Sequence, residues 1–261
     1  MKKNLTTVYD HKYLLKTSKA TKKIKQRSYQ LLGNIKNKKV IDLGCGNGLD
    51  LLQLRLYTEE GGEVTGIDKN ANLLKEAKRN ISKTNYKNVQ LIHADAENIP
   101  FEDGYFDAIR VERVFQHLEN PMRVMQEIKR VLKRNGQLVL IETDWASLSM
   151  FTNNYEIENK IISHLIYKYT SNGMASRLLV EYLEHINFNQ TKTEVFPSII
   201  SSYQMTNQLI KLEEIANEVI KSGKLKKEIY LKWLEQIRRS DSKGNFRCSI
   251  NMLMVSTSKT L

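Results

Sequence analysis

The most constraining feature of this 261-residue chain is a glycine-rich run directly after a short apolar segment. It reads Val-Ile-Asp-Leu-Gly-Cys-Gly-Asn-Gly over residues 40–48, and a helical pattern begins at Leu49. Glycine lets the chain turn tightly and lets a ligand approach bare backbone, so a strand–turn–helix unit of this kind predicts a binding loop. The spacing is GxGxG, and Leu49 stands where a dinucleotide-binding fingerprint has its last glycine. The run therefore fits several nucleotide cofactors, and its spacing disfavours the dinucleotide fingerprint without excluding it.

Strands and helices alternate along the middle of the chain. Strands are predicted at 39–43, 63–67, 89–93, 106–111 and 137–143, and helices at 49–57, 70–81 and 121–133. Asn70 is expected to cap the second helix, Pro121 to begin the third, and the pair Asn135-Gly136 to end it. Alternation at this spacing predicts βαβ units and a parallel sheet.

The pattern changes after Thr143, where helices become more frequent. Helices are predicted at 155–170, 174–186, 203–221 and 225–239, and strands at 191–196, stopped by Pro197, and 246–255. We expect a basic helical segment at 1–38 and one α/β domain at 39–261. Helical lid insertions are expected at about 146–175 and 198–244, since long insertions beside a sheet often cover a substrate.

Acidic residues stand where the second and third predicted strands end. Asp68 has the position from which a carboxylate can accept hydrogen bonds from ribose hydroxyls. Asp95 and Ala96 offer a carboxylate and a backbone N–H that suit the edge of an adenine. Either acid alone would also fit a helix cap or a turn. Because ligands bind outside the carboxyl ends of parallel strands, the acids and the glycine run together predict one site.

Four stretches together resemble the class I S-adenosylmethionine-dependent methyltransferases, in particular the ubiquinone/menaquinone C-methyltransferase-like enzymes that act on small molecules. They are VIDLGCGNG, GID, HADAENIPFEDGYFDAI and LKRNGQLVLIE, and the resemblance covers residues 39–144. It implies a Rossmann-like α/β fold with a seven-stranded, mostly parallel sheet, helices on both faces and an antiparallel last strand. It also implies methyl transfer from S-adenosylmethionine, which leaves S-adenosylhomocysteine.

The resemblance assigns roles to individual residues. Gly44 and Gly46 would face the methionine moiety, and Glu112 with Arg113 would line the sulfonium end. Asp42 would brace the glycine turn or contact the amine of the cofactor through a water molecule. The full set of expected cofactor-binding residues is Asp42, Gly44, Cys45, Gly46, Asp68, Lys69, Asp95, Ala96, Glu112 and Arg113.

Methyl transfer from a sulfonium needs a base only when the acceptor must lose a proton. The candidate catalytic residues are His117, Glu142 and Asp144. An imidazole titrates nearest to neutral pH, and the two acids end the fifth predicted strand. His117 also fits a purely structural role. Only two cysteines are present, so no thiolate metal site is expected.

The positive charge of the chain is concentrated at its N-terminus. Residues 1–39 hold eleven lysines and Arg27 against Asp10 alone, whereas the whole chain has a net charge of +12. This segment suits either a phosphate-binding arm or a solvated helix with an apolar stripe at Ala20, Ile24, Leu31 and Ile35. We expect a small organic acceptor, because the predicted helical lid would enclose the pocket. The rest of the chain is nearly neutral, which argues against RNA. RNA methylation and a non-catalytic S-adenosylmethionine-binding protein remain alternatives.

The compartment is predicted from what the sequence lacks. No apolar run reaches the roughly 18 to 20 residues of a membrane span, and the N-terminus has no apolar signal-peptide region. Two cysteines do not make a disulfide framework. These features predict a cytoplasmic protein.

Overall fold

A central sheet organises the computed structural model, which describes residues 14–15, 21–188 and 190–260. Its strands are β1 (Lys39–Leu43), β2 (Glu63–Asp68), β3 (Val89–His93), β4 (Phe106–Glu112), β5 (Leu132–Met150), β6 (Lys192–Ile200) and β7 (Cys248–Ser258). Within the described residues the sheet has seven strands in the order β3-β2-β1-β4-β5-β7-β6. β1 to β5 are parallel, and β7 runs antiparallel to both β5 and β6. The fold class expected from the sequence is confirmed.

Helices cover the sheet and extend beyond its end. They are α1 (Lys22–Leu31), α2 (Leu49–Thr58), α3 (Ala71–Ser82), α4 (Pro121–Val131), α5 (Tyr155–His164), α6 (Ala175–His185), α7 (Tyr203–Ile210), α8 (Leu212–Lys221) and α9 (Lys227–Ser242). A 3₁₀ turn spans Phe115–His117, and a π-helical turn, Leu165–Tyr169, follows α5. Asn70 caps α3 by accepting the N–H groups of Asn72 and Leu73, and Pro121 stands at the first position of α4. Both helix starts are as predicted.

Three predicted boundaries are wrong for identifiable reasons. Asn135-Gly136 does not separate a helix from a strand, since Asn135 takes a left-handed φ of 63° inside β5 and hydrogen-bonds Lys259. β6 continues through Pro197, because β6 is an edge strand, where a missing N–H is tolerated. The helix expected over 203–221 is interrupted at Lys211, where φ is 60°.

Alternating strand residues divide the core of the α/β domain between two faces of the sheet. Val40 is buried in one apolar cluster with residues of α1, α2 and α3. Ile41 is buried in another with residues of α4 and α6. Successive strand side chains point to opposite faces, so both faces must be covered, as the apolar run at 40–41 requires.

A third apolar cluster lies beyond the sheet. It joins α5, α7, α8 and α9, with the ends of β5 and β7, around Trp145 and Trp233. We call α5 with its π-helical turn, α7, α8 and α9 the helical insertion. The ends of the expected lid ranges, residues 146–150 and 198–200, are strand.

The N-terminal segment is only partly described. Residues 1–13 and 16–20, with Ala20 of the expected stripe, lie outside the described residues. Ile24 and Ile35 are buried as the stripe predicts, and Leu31 is half-buried. Among the described helices, each is too short or too polar to cross a bilayer.

Candidate active site

A cavity of about 220 Å³ opens where β1, β2, β3 and β4 end. Parallel strands place their carboxyl ends at one edge, so residues far apart in sequence meet there. The expected residues that line it are Gly44, Gly46, Asp68, Lys69, Asp95, Ala96, Glu112, Arg113 and His117. The structure therefore brings most of the expected site into one wall.

The glycine turn presents bare backbone to this cavity. Gly44 has a φ of +76°, and a Cβ there would lie 2.3 Å from Cγ2 of Val114. The N–H groups of Gly44 and Cys45 both donate to the carbonyl of Ile67, which fixes the turn against β2. Gly46 has a φ of +54° and faces Leu14. Only glycine fits Gly44 without displacing Val114.

Asp68 connects the glycine turn to the end of β2. Its Oδ2 accepts the N–H of Gly46 at 2.8 Å, and its Oδ1 accepts the N–H of Asn70 at 2.8 Å. Burial raises the pKa of Asp68 above its ordinary value, although both backbone N–H groups favour the charged form. The carboxylate is thus held at the cavity wall and retains unused lone pairs for a ligand.

The ends of β2 and β3 are joined beside the expected adenine site. The ring Nε2 of His93 lies 3.0 Å from the carbonyl oxygen of Lys69. Oδ1 of Asp95 accepts the N–H of Glu97 at 3.0 Å, which makes a local turn around Ala96. This turn places both Asp95 and Ala96 in the cavity wall.

A smaller cavity of about 50 Å³ adjoins the first beneath the glycine turn, and charged side chains surround it. We call these side chains the charged cluster: Lys25, Asp42, Asp50, Arg110, Glu112 and Arg113. Arg110 donates from Nη1 to Oδ1 of Asp42 at 2.9 Å and from Nη2 to Oε2 of Glu112. Glu112 and Arg113 line both cavities, whereas Asp42 and Cys45 line the smaller one.

The acids of the charged cluster respond differently to burial. Burial raises the pKa of Asp42 to about 7 despite its pairing with Arg110. Burial also acts to raise the pKa of Glu112, but the positive charges of Lys25 and Arg110 outweigh it and hold that pKa well below the ordinary value. Glu112 is therefore a carboxylate at neutral pH, although it is almost fully enclosed.

The three candidate bases occupy three different environments. His117 lines the large cavity, and burial, reinforced by the charges of Lys69 and Arg113, lowers its pKa to about 4. Glu142 lies beneath the 3₁₀ turn, where its Oε1 accepts the N–H of Phe115 at 2.6 Å. Burial raises the pKa of Glu142 to about 8.

Asp144 is directed toward α6. Arg177 donates to it from Nε at 2.9 Å and from Nη2 at 3.1 Å. Neither Asp144 nor Glu142 is among the residues that line the two cavities. Their position at the end of β5 does not bring these two acids to the cavity. Glu142 accepts a backbone N–H of the 3₁₀ turn, and Asp144 pairs with Arg177.

Sequence reasoning missed several residues of the site. Arg110 had a recognisable signal, since a charged residue inside the apolar strand β4 must find buried partners. Gln116 had no such signal in the sequence. Its side-chain Oε1 accepts Nε1–H of Trp145 at 2.7 Å, and its backbone carbonyl accepts the N–H of Asn172. Gln116 thereby joins the cavity wall to the chain around Ser171, which also lines the cavity.

No metal-binding arrangement accompanies these residues. In the parts of the chain that the structure describes, no group of three or more His, Cys, Asp or Glu side chains is placed to hold a metal ion.

The family model of a methyltransferase domain matches residues 34–236, which include every residue of the larger cavity except Leu14 and most of the helical insertion. The chain belongs to the methyltransferase domain family. The enzyme class expected from the motifs is thereby confirmed, as is S-adenosylmethionine as the methyl donor.

The chain is also similar to individual proteins, one of which is named as a methyltransferase. An uncharacterized 37.1 kDa protein in transposon Tn4556 of Streptomyces fradiae is 27% identical over 241 residues, which are 92% of this chain and 68% of that protein. A demethylmenaquinone methyltransferase of Staphylococcus aureus is 29% identical over 186 residues, 71% of this chain and 75% of that protein. The YcgJ protein of Bacillus subtilis has the same fold, with a TM-score of 0.65 at 16% identity over 91% of this chain and 98% of that one.

Proposed function

We propose that this methyltransferase binds S-adenosylmethionine in the large cavity and transfers its methyl group to an O, N or C atom of a small organic acceptor. The observation that carries the proposal is the convergence of the glycine turn, Asp68, Asp95 and Glu112 on one cavity. Binding of this kind holds donor and acceptor in line and excludes water, which supplies much of the rate of such a displacement.

The residues present fit the donor. Gly44 and Gly46 present bare backbone to the methionine moiety, and a Cβ at either position would press on Val114 or Leu14 of the cavity wall. Asp68 would accept the ribose hydroxyls, and Asp95 with the N–H of Ala96 would bind the adenine edge. The bound group supplies a methyl on a positively charged sulfur. Glu112, kept ionised in the wall, favours that charge electrostatically.

His117 is suited to orienting the acceptor. At pH 7 its imidazole is neutral because its pKa is lowered to about 4, so it can accept a hydrogen bond from an acceptor O–H or N–H. The same lowered pKa makes it a poor proton acceptor at this pH. We therefore assign to His117 a hydrogen bond to the acceptor, and to Glu142 the support of the turn that carries His117.

Two observations favour a small acceptor over RNA. Lys25 of the basic N-terminal segment is buried in the charged cluster, and Arg27 pairs with Glu194 at 2.6 Å. Lys25 is enclosed and so is not accessible to a phosphate, and Arg27, although partly exposed, is already paired with an acid. The relative from S. aureus is named for a small organic acceptor, which supports the same class for this chain.

Binding of S-adenosylmethionine and S-adenosylhomocysteine by calorimetry tests the donor site. We expect both to bind the wild type and Asp68→Ala to weaken both at least about tenfold, because the ribose contacts are lost. Glu102→Ala, which removes an exposed acid, is the control and should bind as the wild type does. Absence of binding to the wild-type protein would contradict the proposal.

Transfer of labelled methyl groups into an extract of the host then tests the acceptor class. Label in solvent-extractable metabolites supports a small acceptor and identifies it by mass. Label in a precipitate that nuclease releases favours RNA instead, and the affinity should then fall steeply with salt.

A further inference from the structure

Helix α1 reaches the donor site through one buried lysine. Lys22 and Lys23 are exposed on α1, whereas the side chain of Lys25 is only 9% exposed. Its Nζ lies 2.5 Å from Oδ2 of Asp50 and 2.8 Å from Oε2 of Glu112. A lysine is seldom buried unless it is paired, and these two contacts supply that pairing.

Arg110 does not make Lys25 redundant. Its guanidinium is shared between Asp42, Glu112 and the hydroxyl of Ser28. Lys25 is the cation that Asp50 and Glu112 share, so its loss removes the nearest positive charge from two buried carboxylates at once. An uncompensated buried charge is costly, and a carboxyl in that position gains a proton instead.

We infer that Lys25 is a positioning residue of the donor site, which holds Glu112 charged and correctly oriented from α1. The inference rests on the proposed function, because it assumes that the donor lies against Glu112. Lys25 itself lines the smaller cavity, and it acts on the larger one through the Glu112 carboxylate.

The inference predicts a pH dependence. The charged and titratable groups that surround Glu112 are Lys25 and Tyr29 of α1, Asp42 of β1, Asp50 of α2, Arg110 of β4 and Arg113 after β4. With Lys25 present, the pKa of Glu112 is well below its ordinary value, so the carboxyl stays ionised from pH 5.5 to 8.5. Without Lys25, burial would raise that pKa, and acid would protonate the group.

Calorimetric binding of S-adenosylmethionine and S-adenosylhomocysteine from pH 5.5 to 8.5 tests the inference. We expect Lys25→Met to weaken donor binding about tenfold at pH 6, which corresponds to about 1.4 kcal/mol, with partial recovery at pH 8.5. Lys25→Arg restores the positive charge and should recover most of the affinity. Lys22→Met, the matched loss of an exposed charge on α1, should match the wild type at every pH.

The outcomes are distinguishable. A folded Lys25→Met protein that binds as the wild type does, with the same pH profile, overturns the inference and leaves the proposed function standing. An arginine variant as weak as the methionine variant also overturns it, since charge would not be the cause. Absence of donor binding to the wild type overturns the proposed function and the inference together.

A second variant keeps the test valid if Lys25→Met does not fold. Lys25→Gln removes the charge but keeps a side-chain N–H donor on α1, so the buried carboxylates of Asp50 and Glu112 do not face a purely apolar group. The same pH-dependent loss of binding is expected from this glutamine variant, because the positive charge is gone. Binding like that of the wild type across the pH range contradicts the inference.

Discussion

The cavity edge of the sheet and the helical insertion are built from different kinds of contact. At the edge, glycines with positive φ and paired charges hold the chain in one arrangement. In the insertion, apolar side chains around Trp233 pack α5, α7, α8 and α9 together. We infer that the edge determines which ligand binds, whereas the insertion contributes stability. Ser171, which follows the π-helical turn, lines the cavity.

Trp233→Ala should give the largest effect, and on stability. Trp233 is 2% exposed at the centre of the insertion, and truncation of such a side chain costs about 3 to 5 kcal/mol of the free energy of unfolding. Denaturant unfolding measures this loss, and calorimetry on the folded variant should give donor affinity within about threefold of the wild type. A large loss of affinity at unchanged stability would contradict the division between the two regions.

Gly44→Ala should have the next largest effect, on binding. A Cβ at this position lies 2.3 Å from Val114 and must displace it from the cavity wall. We expect donor affinity to fall about a hundredfold, which corresponds to about 2.7 kcal/mol. The control is Gly223→Ala in the insertion, because Gly223 also has a φ of +76° but has no atom within 4 Å of its Cβ position. Equal effects on donor binding from both variants would show that backbone strain alone is responsible.

Glu142→Gln should alter the pH dependence of stability. The pKa of Glu142 is raised to about 8 in the fold, so the folded state binds more protons than the unfolded state, and stability falls as pH rises. Asp42, with a pKa raised to about 7, acts in the same direction. The lowered pKa of His117 has the opposite effect on stability, but only at pH values below about 6.5, the ordinary pKa of histidine. We therefore choose the window from pH 6.5 to 8.

In that window, Glu142→Gln should remove about 1 kcal/mol per pH unit from the slope of the free energy of unfolding. The amide oxygen of glutamine can still accept the N–H of Phe115, so the turn is retained. Urea unfolding at several pH values measures the slope. An unchanged slope would mean that Glu142 is not the titrating group.

Gln116→Leu should give the smallest effect and tests the link between the two regions. It leaves Nε1–H of Trp145 without its acceptor, at a cost of about 1 kcal/mol. We expect the KM for the acceptor to rise while donor affinity stays unchanged. Trp145→Phe removes the donor group of the same pair, and the double variant should lose little beyond either single variant. Full additivity would show that the hydrogen bond does not couple the regions.

Most of the fold was predictable because its signals are local. Apolar runs such as 40–43 identify strands that are buried on both faces, and Asn70 with Pro121 identifies helix starts. Boundaries that depend on neighbouring strands were not predictable. Pro197 remains in β6 because that strand lies at the edge of the sheet, and the position of a strand in a sheet is not a local property.

The sequence by itself determined the glycine turn, the acids at the strand ends and the family to which the chain belongs. These features follow from residue type and short spacing, and parallel strands bring their ends together in any sheet of this topology. Only the tertiary structure decided that Lys25 reaches Glu112, that Glu142 lies beneath the turn and that Asp144 pairs with Arg177. The direction and partner of a side chain depend on elements that are distant in sequence, because burial requires each charge to find whichever partner the packing provides.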